Sequence, residues 1–290
     1  MTTPAEAPLE APVIPYVDPQ RRARSRSRAR RDGLIASLST VVVFAVLGYL
    51  VTSSPGWPKV QETFFIWDEA VAAWPTLIKA FVLNIKIFLV AEFFILILSL
   101  LIALGRGLRA PVALPIRIIC TVYVDFFRGV PTILVILLLG FGVPALQLKG
   151  VTNSPVVWGT VALILSYTAY VAEVYRAGIE SIHPSQRAAA RSLGLSSIQT
   201  TRYVVLPQAV RRVVPPLLND FIALQKETAL VSLLGPIEVL RAAQINASSN
   251  FNYTAYVVAA LLFVAITLPL TRLTDWLQRR DSKRRMAGAM

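Results

Sequence analysis

Residues 33–52 (GLIASLSTVVVFAVLGYLVT) form a run of 20 without a charged side chain. As a helix rising 1.5 Å per residue, that run covers about 30 Å, the thickness of a bilayer's hydrocarbon core. Such a block has no polar face to offer water, and it is repeated. Further apolar blocks occupy 76–104, 118–146, 156–182, 209–234 and 254–273. Only 16% of the residues are charged, against about 25% in soluble domains. The chain is therefore too poor in polar surface for a soluble enzyme, and the pattern predicts an all-α polytopic membrane protein with about six transmembrane helices.

The polar connections orient it. Residues 1–20 hold five prolines and little periodicity, and residues 21–31 (RRARSRSRARR) carry seven arginines. The basic run lies too far from the N-terminus for a cleaved signal peptide, and no small-x-small site follows it. It reads either as a flank that sets the orientation of the next helix or as a patch for anionic lipid or nucleic acid. The connections on this side hold seven basic residues at 21–31, three at 105–117, five at 183–212 and five at 279–285. Those on the other side hold only Lys59, Lys149 and Arg241. Twenty against three places both termini in the cytoplasm by the positive-inside rule. The tryptophans, Pro55, Gly56 and Pro58 within 53–74 suit an outer loop with an interfacial aromatic belt. The organisation expected is a disordered cytoplasmic tail at 1–32, a first helix and outer loop at 33–75, a membrane domain at 76–275 and a basic cytoplasmic tail at 276–290.

Charges kept inside apolar blocks face protein, water or cargo, because each costs about 2.5–3.5 kcal/mol or more in hydrocarbon. Asp125 and Arg128 are three apart, as are Glu173 and Arg176, so each pair can meet on one helix face and neutralise itself. Lys86 and Glu92 fall on different faces. Asn219, Asp220, Lys226 and Glu227 follow Pro215–Pro216, a pair expected to disturb its helix. Broken helices in transporters line cavities, so Lys86, Glu92, Asn219, Asp220, Lys226 and Glu227 are the candidate substrate path.

No G-x-x-x-x-G-K-[ST] occurs, so the chain has no phosphate-binding loop of that kind. With one cysteine, Cys120, and one histidine, His183, it can form neither an intrachain disulfide nor a multi-histidine metal site. Cys120 reads as packing and His183 as interfacial. The pattern argues against catalysis by this chain alone.

Residues 183–208 (HPSQRAAARSLGLSSIQTTRYVVLPQ) read as helix, turn, helix. Ser185 is the expected N-cap, Gly194 sits where a left-handed residue ends a helix, Ser196 or Ser197 caps the next, and Pro207 constrains entry into the fifth span. Residues 188–194 and 204–207 (AAA-x-x-x-G, nine residues, V-x-L-P) resemble the E-A-A…G…I-x-L-P loop of ABC importer permeases. Four further elements, in order, resemble the polar amino acid branch of that family. They are Asp125-Phe-Phe-Arg-Gly-Val-Pro131, residues 168–179 (TAYVAEVYRAGI), residues 206–216 (LPQAVRRVVPP) and Lys226-Glu-Thr-Ala-Leu230.

The resemblance covers about residues 76–275 and implies a type I ABC importer permease for a polar amino acid of the glutamate, glutamine, histidine or arginine class, in a prokaryotic cell membrane. It implies a second permease copy or paralogue, two cytoplasmic ATPases that bind ATP and Mg, an extracytoplasmic amino acid binding protein, membrane lipid, no cofactor in this chain and no nucleic acid. Ala188, Ala189, Ala190, Gly194, Leu206 and Pro207 would then couple to the ATPase. Ala188 stands where the family has Glu, which with Ser185 would have closed a capping box worth about 0.5–1 kcal/mol. The competing reading is a self-sufficient secondary transporter or channel. That would need an ion site and usually an internal repeat, and no convincing repeat occurs.

Overall fold

The computed structural model describes residues 19–108 and 110–287, all the secondary structure of which is helical. Of the described residues, those up to 60 form one compact unit and those from 61 onward a second. The first unit is dominated by α1 (Pro19–Thr52). Its apolar part, Arg31–Thr52, is long and apolar enough to cross a membrane. The backbone is helical from Pro19, so 19–32 is not the disordered segment expected; arginine and alanine are good helix formers and fill most of that stretch. The remainder of the expected tail, 1–18, lies outside the described residues.

The outer loop expected at 53–74 is largely helical too. It contains α2 (Trp57–Phe64) and the start of α3 (Trp67–Arg106), a 40-residue helix interrupted by neither Pro75 nor Lys86. α4 (Leu114–Gly129) and α5 (Thr132–Ala145) divide the block expected as one span and meet at 100°. The break has a local cause: Pro131 forces Val130 out of the helical region, to φ −98 and ψ 129. α6 (Pro155–Glu180) is a single uninterrupted span and the most buried of them, packed against α3, α4, α5 and α9.

α7 (Pro184–Ser192) and α8 (Ser197–Thr200) form the connection to α9 (Leu206–Glu227). Pro215 and Pro216 do not break α9, contrary to expectation. Their φ is already helical, and the carbonyls they leave without a donor belong to Arg211 and Arg212, toward the accessible end of the helix. The interruption falls later. Residues Thr228–Leu234 tighten into a 3₁₀ helix, Gly235 turns with φ +102, and α10 (Val239–Asn250) restarts at 54° to the preceding segment. α10 lies in what was expected to be an outer connection. α11 (Thr254–Ala287) carries the last span and continues helically into the basic tail. Among the described residues, four helices are long and apolar enough to cross a membrane singly, and up to six spans result if each bent pair counts as one.

Among the described residues, the two largest of four apolar clusters hold most of the second unit together. One joins Ile87, Phe88, Ala91 and Ile95 of α3 to Ile136 of α5, Leu163 and Val171 of α6, Leu224 of α9 and Val231 of the 3₁₀ segment. Phe88 and Phe221 meet edge to face at 4.5 Å within it. The other packs Ala73, Leu77 and Ala80 of α3 against Ala242 and Ala243 of α10 and Ala255, Val258 and Ala259 of α11. Alanines dominate the second because helices in lipid associate by close packing between small residues, not by escape from water. Gly178 shows how close α6 and α9 approach: a Cβ there would lie 2.0 Å from Val213 Cγ2. Cys120 is a packing residue, with its Sγ 2.9 Å from where a Cβ on Gly105 would be.

Candidate functional site

The α7–α8 connection is built from successive caps. His183, not Ser185, is the N-cap of α7, and its Nδ1 accepts from Ser185 N at 3.2 Å. Pro184 occupies the first helical position, where its missing N–H costs nothing. Ala188 therefore lies beyond the capping position, and a Glu there would close no capping box with Ser185. At the other end Leu195 N donates to Ala190 O at 3.2 Å and Gly194 N to Arg191 O at 3.0 Å, with Gly194 at φ +83. This is a complete Schellman motif. Two residues on, Ser196 Oγ accepts from Gln199 N at 3.2 Å while Ser196 N donates to Gln199 Oε1 at 2.8 Å, a reciprocal capping box. Arg191 also hydrogen-bonds Ser197 across the turn.

The knob is tied to the membrane helices. Ile182, Val205 and Ala209 are buried together against Ile179. Arg187 Nη2 donates to Ile179 O at 3.2 Å, and Arg212 donates to Ser181 O. Among the expected coupling residues Ala190 is buried in the knob, while Ala188, Ala189, Gly194, Leu206 and Pro207 are exposed. Leu193 and Ile198, not singled out from the sequence, are 84% and 79% exposed. Two bare apolar side chains on a rigid polar turn are a docking surface in form.

Within the spans, Glu173 and Arg176 pair as their spacing allows. Arg106, in the last turn of α3, adds a bond of 2.8 Å to Glu173 Oε2, and Arg176 also reaches Glu180. The network thus staples α3 to α6. Asp125 and Arg128 are both exposed and, among the described residues, no ion pair joins them, so that expected pair does not form.

The candidate path residues separate into two sets. Glu92 of α3 and Asp220 and Glu227 of α9 are half-buried, and Tyr167 of α6 is buried. Asp220 Oδ2 and Glu227 Oε2 are buried without a hydrogen-bond partner. The three helices that carry these side chains, α3, α6 and α9, pack against one another. Asn219 and Lys226 lie on the exposed side of α9, and Lys86 sits at the edge of an apolar cavity of about 440 Å³ between α3 and α6.

A buried polar node went unread in the sequence. Asn84, Thr228 and Glu238 are each at most 1% exposed. Asn84 Nδ2 donates to Glu238 Oε2 at 2.9 Å and to Thr228 Oγ1 at 3.2 Å, and Val239 N donates to Asn84 Oδ1 at 3.1 Å. Glu238 also caps α10, accepting from Leu240 N at 3.0 Å and Arg241 N at 2.8 Å. The node joins the middle of α3 to both sides of the bend between α9 and α10.

The family described as "Binding-protein-dependent transport system inner membrane component" matches residues 113–284. The chain belongs to that family. It is a multi-pass membrane permease component of an ABC importer, a family membership that implies an ATPase and a binding protein as partners. It is 33% identical over 75% of its length, and 96% of the relative's, to "Probable amino-acid permease protein YxeN" of Bacillus subtilis. It is 31% identical to "Arginine transport system permease protein ArtQ" of the same organism, over 71% of this chain and 92% of that one. Among solved structures, "Crystal structure of an amino acid ABC transporter with histidines" superposes with a TM-score of 0.66 at 32% identity, covering 72% of this chain and 96% of that chain. A methionine ABC transporter in an inward-facing conformation shares the fold at 18% identity and a TM-score of 0.54, over 70% of this chain and 95% of that one. The matched region contains the capped α7–α8 knob and all of α9, whereas α1 lies outside the family match.

Proposed function

We propose that this permease carries a polar amino acid across a prokaryotic cell membrane, driven by ATP bound with Mg on two cytoplasmic ATPase subunits. A second permease copy or a paralogue completes the pathway, and an extracytoplasmic amino acid binding protein delivers the cargo. Both termini are cytoplasmic, as the distribution of Lys and Arg indicates. The observation that carries the reading is the α7–α8 knob. Its double cap, its tie to the ends of α6 and α9, and its bare Leu193 and Ile198 suit it to transmit a rigid-body displacement. Ala188, Ala189, Gly194, Leu206 and Pro207 are exposed and available to a partner, and Ala190 is buried within the knob.

The path lies along the faces of α3, α6 and α9 that carry Glu92, Asp220, Glu227 and Tyr167. An electronegative, half-buried lining favours a cargo with a cationic group, which every zwitterionic amino acid has and a basic one has twice. Support also comes from relatives named for amino acids, arginine and glutamine among them. Affinity purification of the tagged chain from its native membrane, read by mass spectrometry, tests the proposal. A P-loop ATPase should be recovered with it. A chain that purifies alone and still transports down an ion gradient would instead be a secondary transporter.

A further inference from the structure

The basic run ahead of the first span is left unused by this function, and its backbone conformation is unexpected. α1 is one continuous helix from Pro19 to Thr52, with no acidic residue in its first turn. Seven arginines occupy positions 21, 22, 24, 26, 28, 30 and 31 of it. At about 100° per residue, positions 21, 24, 28 and 31 fall in one sector about 80° wide and positions 22, 26 and 30 in the opposite sector. The arginine positions therefore ring the helix. Between them lie only Ala23, Ser25, Ser27 and Ala29, so the segment has no apolar face on which to lie flat against a membrane.

Such a helix is electrostatically unfavourable alone. Like charges recur at i, i+3 and i, i+4, and all of them sit toward the end where the helix dipole is positive. Anions close to the ring remove both penalties, and the geometry supplies them. Arg31 opens the apolar span, so Arg21 stands about 15 Å farther along the axis. The headgroup layer accounts for about 5–7 Å of that distance, and a Debye length for about 8 Å more. All seven positions thus lie within electrostatic reach of the phosphate layer. Guanidinium matches phosphate by paired hydrogen bonds as well as by charge.

We propose that residues 21–31 of α1 form a collar that binds anionic phospholipid headgroups around the first span. The collar concentrates such lipids beside the permease, and its occupancy falls as ionic strength rises. It acts separately from transport, and lipid binding can be measured whichever way the N-terminus faces.

The test uses the full chain in nanodiscs of equal parts phosphatidylcholine and phosphatidylglycerol, with retained lipids counted by native mass spectrometry. The variant Arg21→Gln/Arg22→Gln/Arg24→Gln/Arg26→Gln keeps Arg28, Arg30 and Arg31 beside the span, so that insertion and orientation survive. At roughly fivefold per arginine near an anionic surface, it should weaken phosphatidylglycerol retention more than tenfold. The same four positions changed to Lys should keep most of it. Equal retention by the wild type and the Gln variant, or no preference for phosphatidylglycerol over phosphatidylcholine, overturns the proposal. So does tight binding of a duplex oligonucleotide that displaces the retained lipid and vanishes in the Gln variant, since the run would then be a nucleic-acid site.

Discussion

Removing the carboxylate at the bend between α9 and α10 should loosen the transport domain more than any exposed charge change. Glu238→Ala deletes the acceptor for Asn84 Nδ2, Leu240 N and Arg241 N, whose bonds are 2.8–3.0 Å long. Loss of a helix N-cap costs about 1–2 kcal/mol, and a buried amide left short of an acceptor about 1–3 kcal/mol. Relief of the carboxylate's own desolvation offsets part of this, and Asn84 keeps its bond to Thr228. The net expectation is about 2–3 kcal/mol. Glu238→Gln retains an acceptor for Asn84 and Leu240 and turns its amide toward Arg241 N, so about 1 kcal/mol is expected from that single lost bond. With Asn84→Ala as the second arm, a double-mutant cycle should return a coupling of about 0.6–1.7 kcal/mol, the scale found for hydrogen bonds between membrane helices. The assay is reversible unfolding of the purified chain from detergent into SDS. A Glu238→Ala variant within 0.5 kcal/mol of wild type, or a cycle that is simply additive, would refute the account of the node.

Three further perturbations have defined outcomes. At Gly194 the φ of +83 with open space around it means that Val suffers only conformational strain, about 1–2 kcal/mol, whereas Asn is tolerated; ATPase activity stimulated by binding protein should fall for Gly194→Val and persist for Gly194→Asn. Gly178→Ala sets a Cβ 2.0 Å from Val213 Cγ2 and should destabilise by about 1–3 kcal/mol, with Val213→Ala restoring most of the loss in SDS titrations. Leu193→Asp and Ile198→Asp should leave unfolding unchanged, because both side chains are in solvent. Each should nevertheless weaken ATPase association by about tenfold or more, the loss of an apolar anchor worth 1.5–3 kcal/mol; an undiminished complex on size exclusion would remove these residues from the interface.

What could be read from the sequence was whatever depends on composition along the chain. Uncharged length located the spans at 33–52 and 156–182 to within a few residues of the helices found, because a bilayer imposes length and apolarity directly. Gly194 was legible because one turn chemistry requires it. Direction was not legible: hydropathy sees 118–146 as one block, although the Pro131 rule, applied to Val130, would have located the 100° bend. Pro184 carried a similar unused signal, since proline at the first helical position makes His183 the cap rather than Ser185. Spacing permitted both acid–base pairs, but only Glu173–Arg176 formed, with Arg106 arriving from another helix to fix it. Glu238 could not have been found by periodicity. Its partner Asn84 is 154 residues away, and only closure of the fold brings the two together.

The most direct test of the central claim is uptake of a labelled amino acid into vesicles that contain the assembled complex and trap ATP with Mg on the ATPase side. The account requires accumulation that depends on both ATP and binding protein and that is lost in Gly194→Val with the complex still assembled. Accumulation by this chain alone under an ion gradient, indifferent to ATP and to the state of the α7–α8 knob, would contradict it.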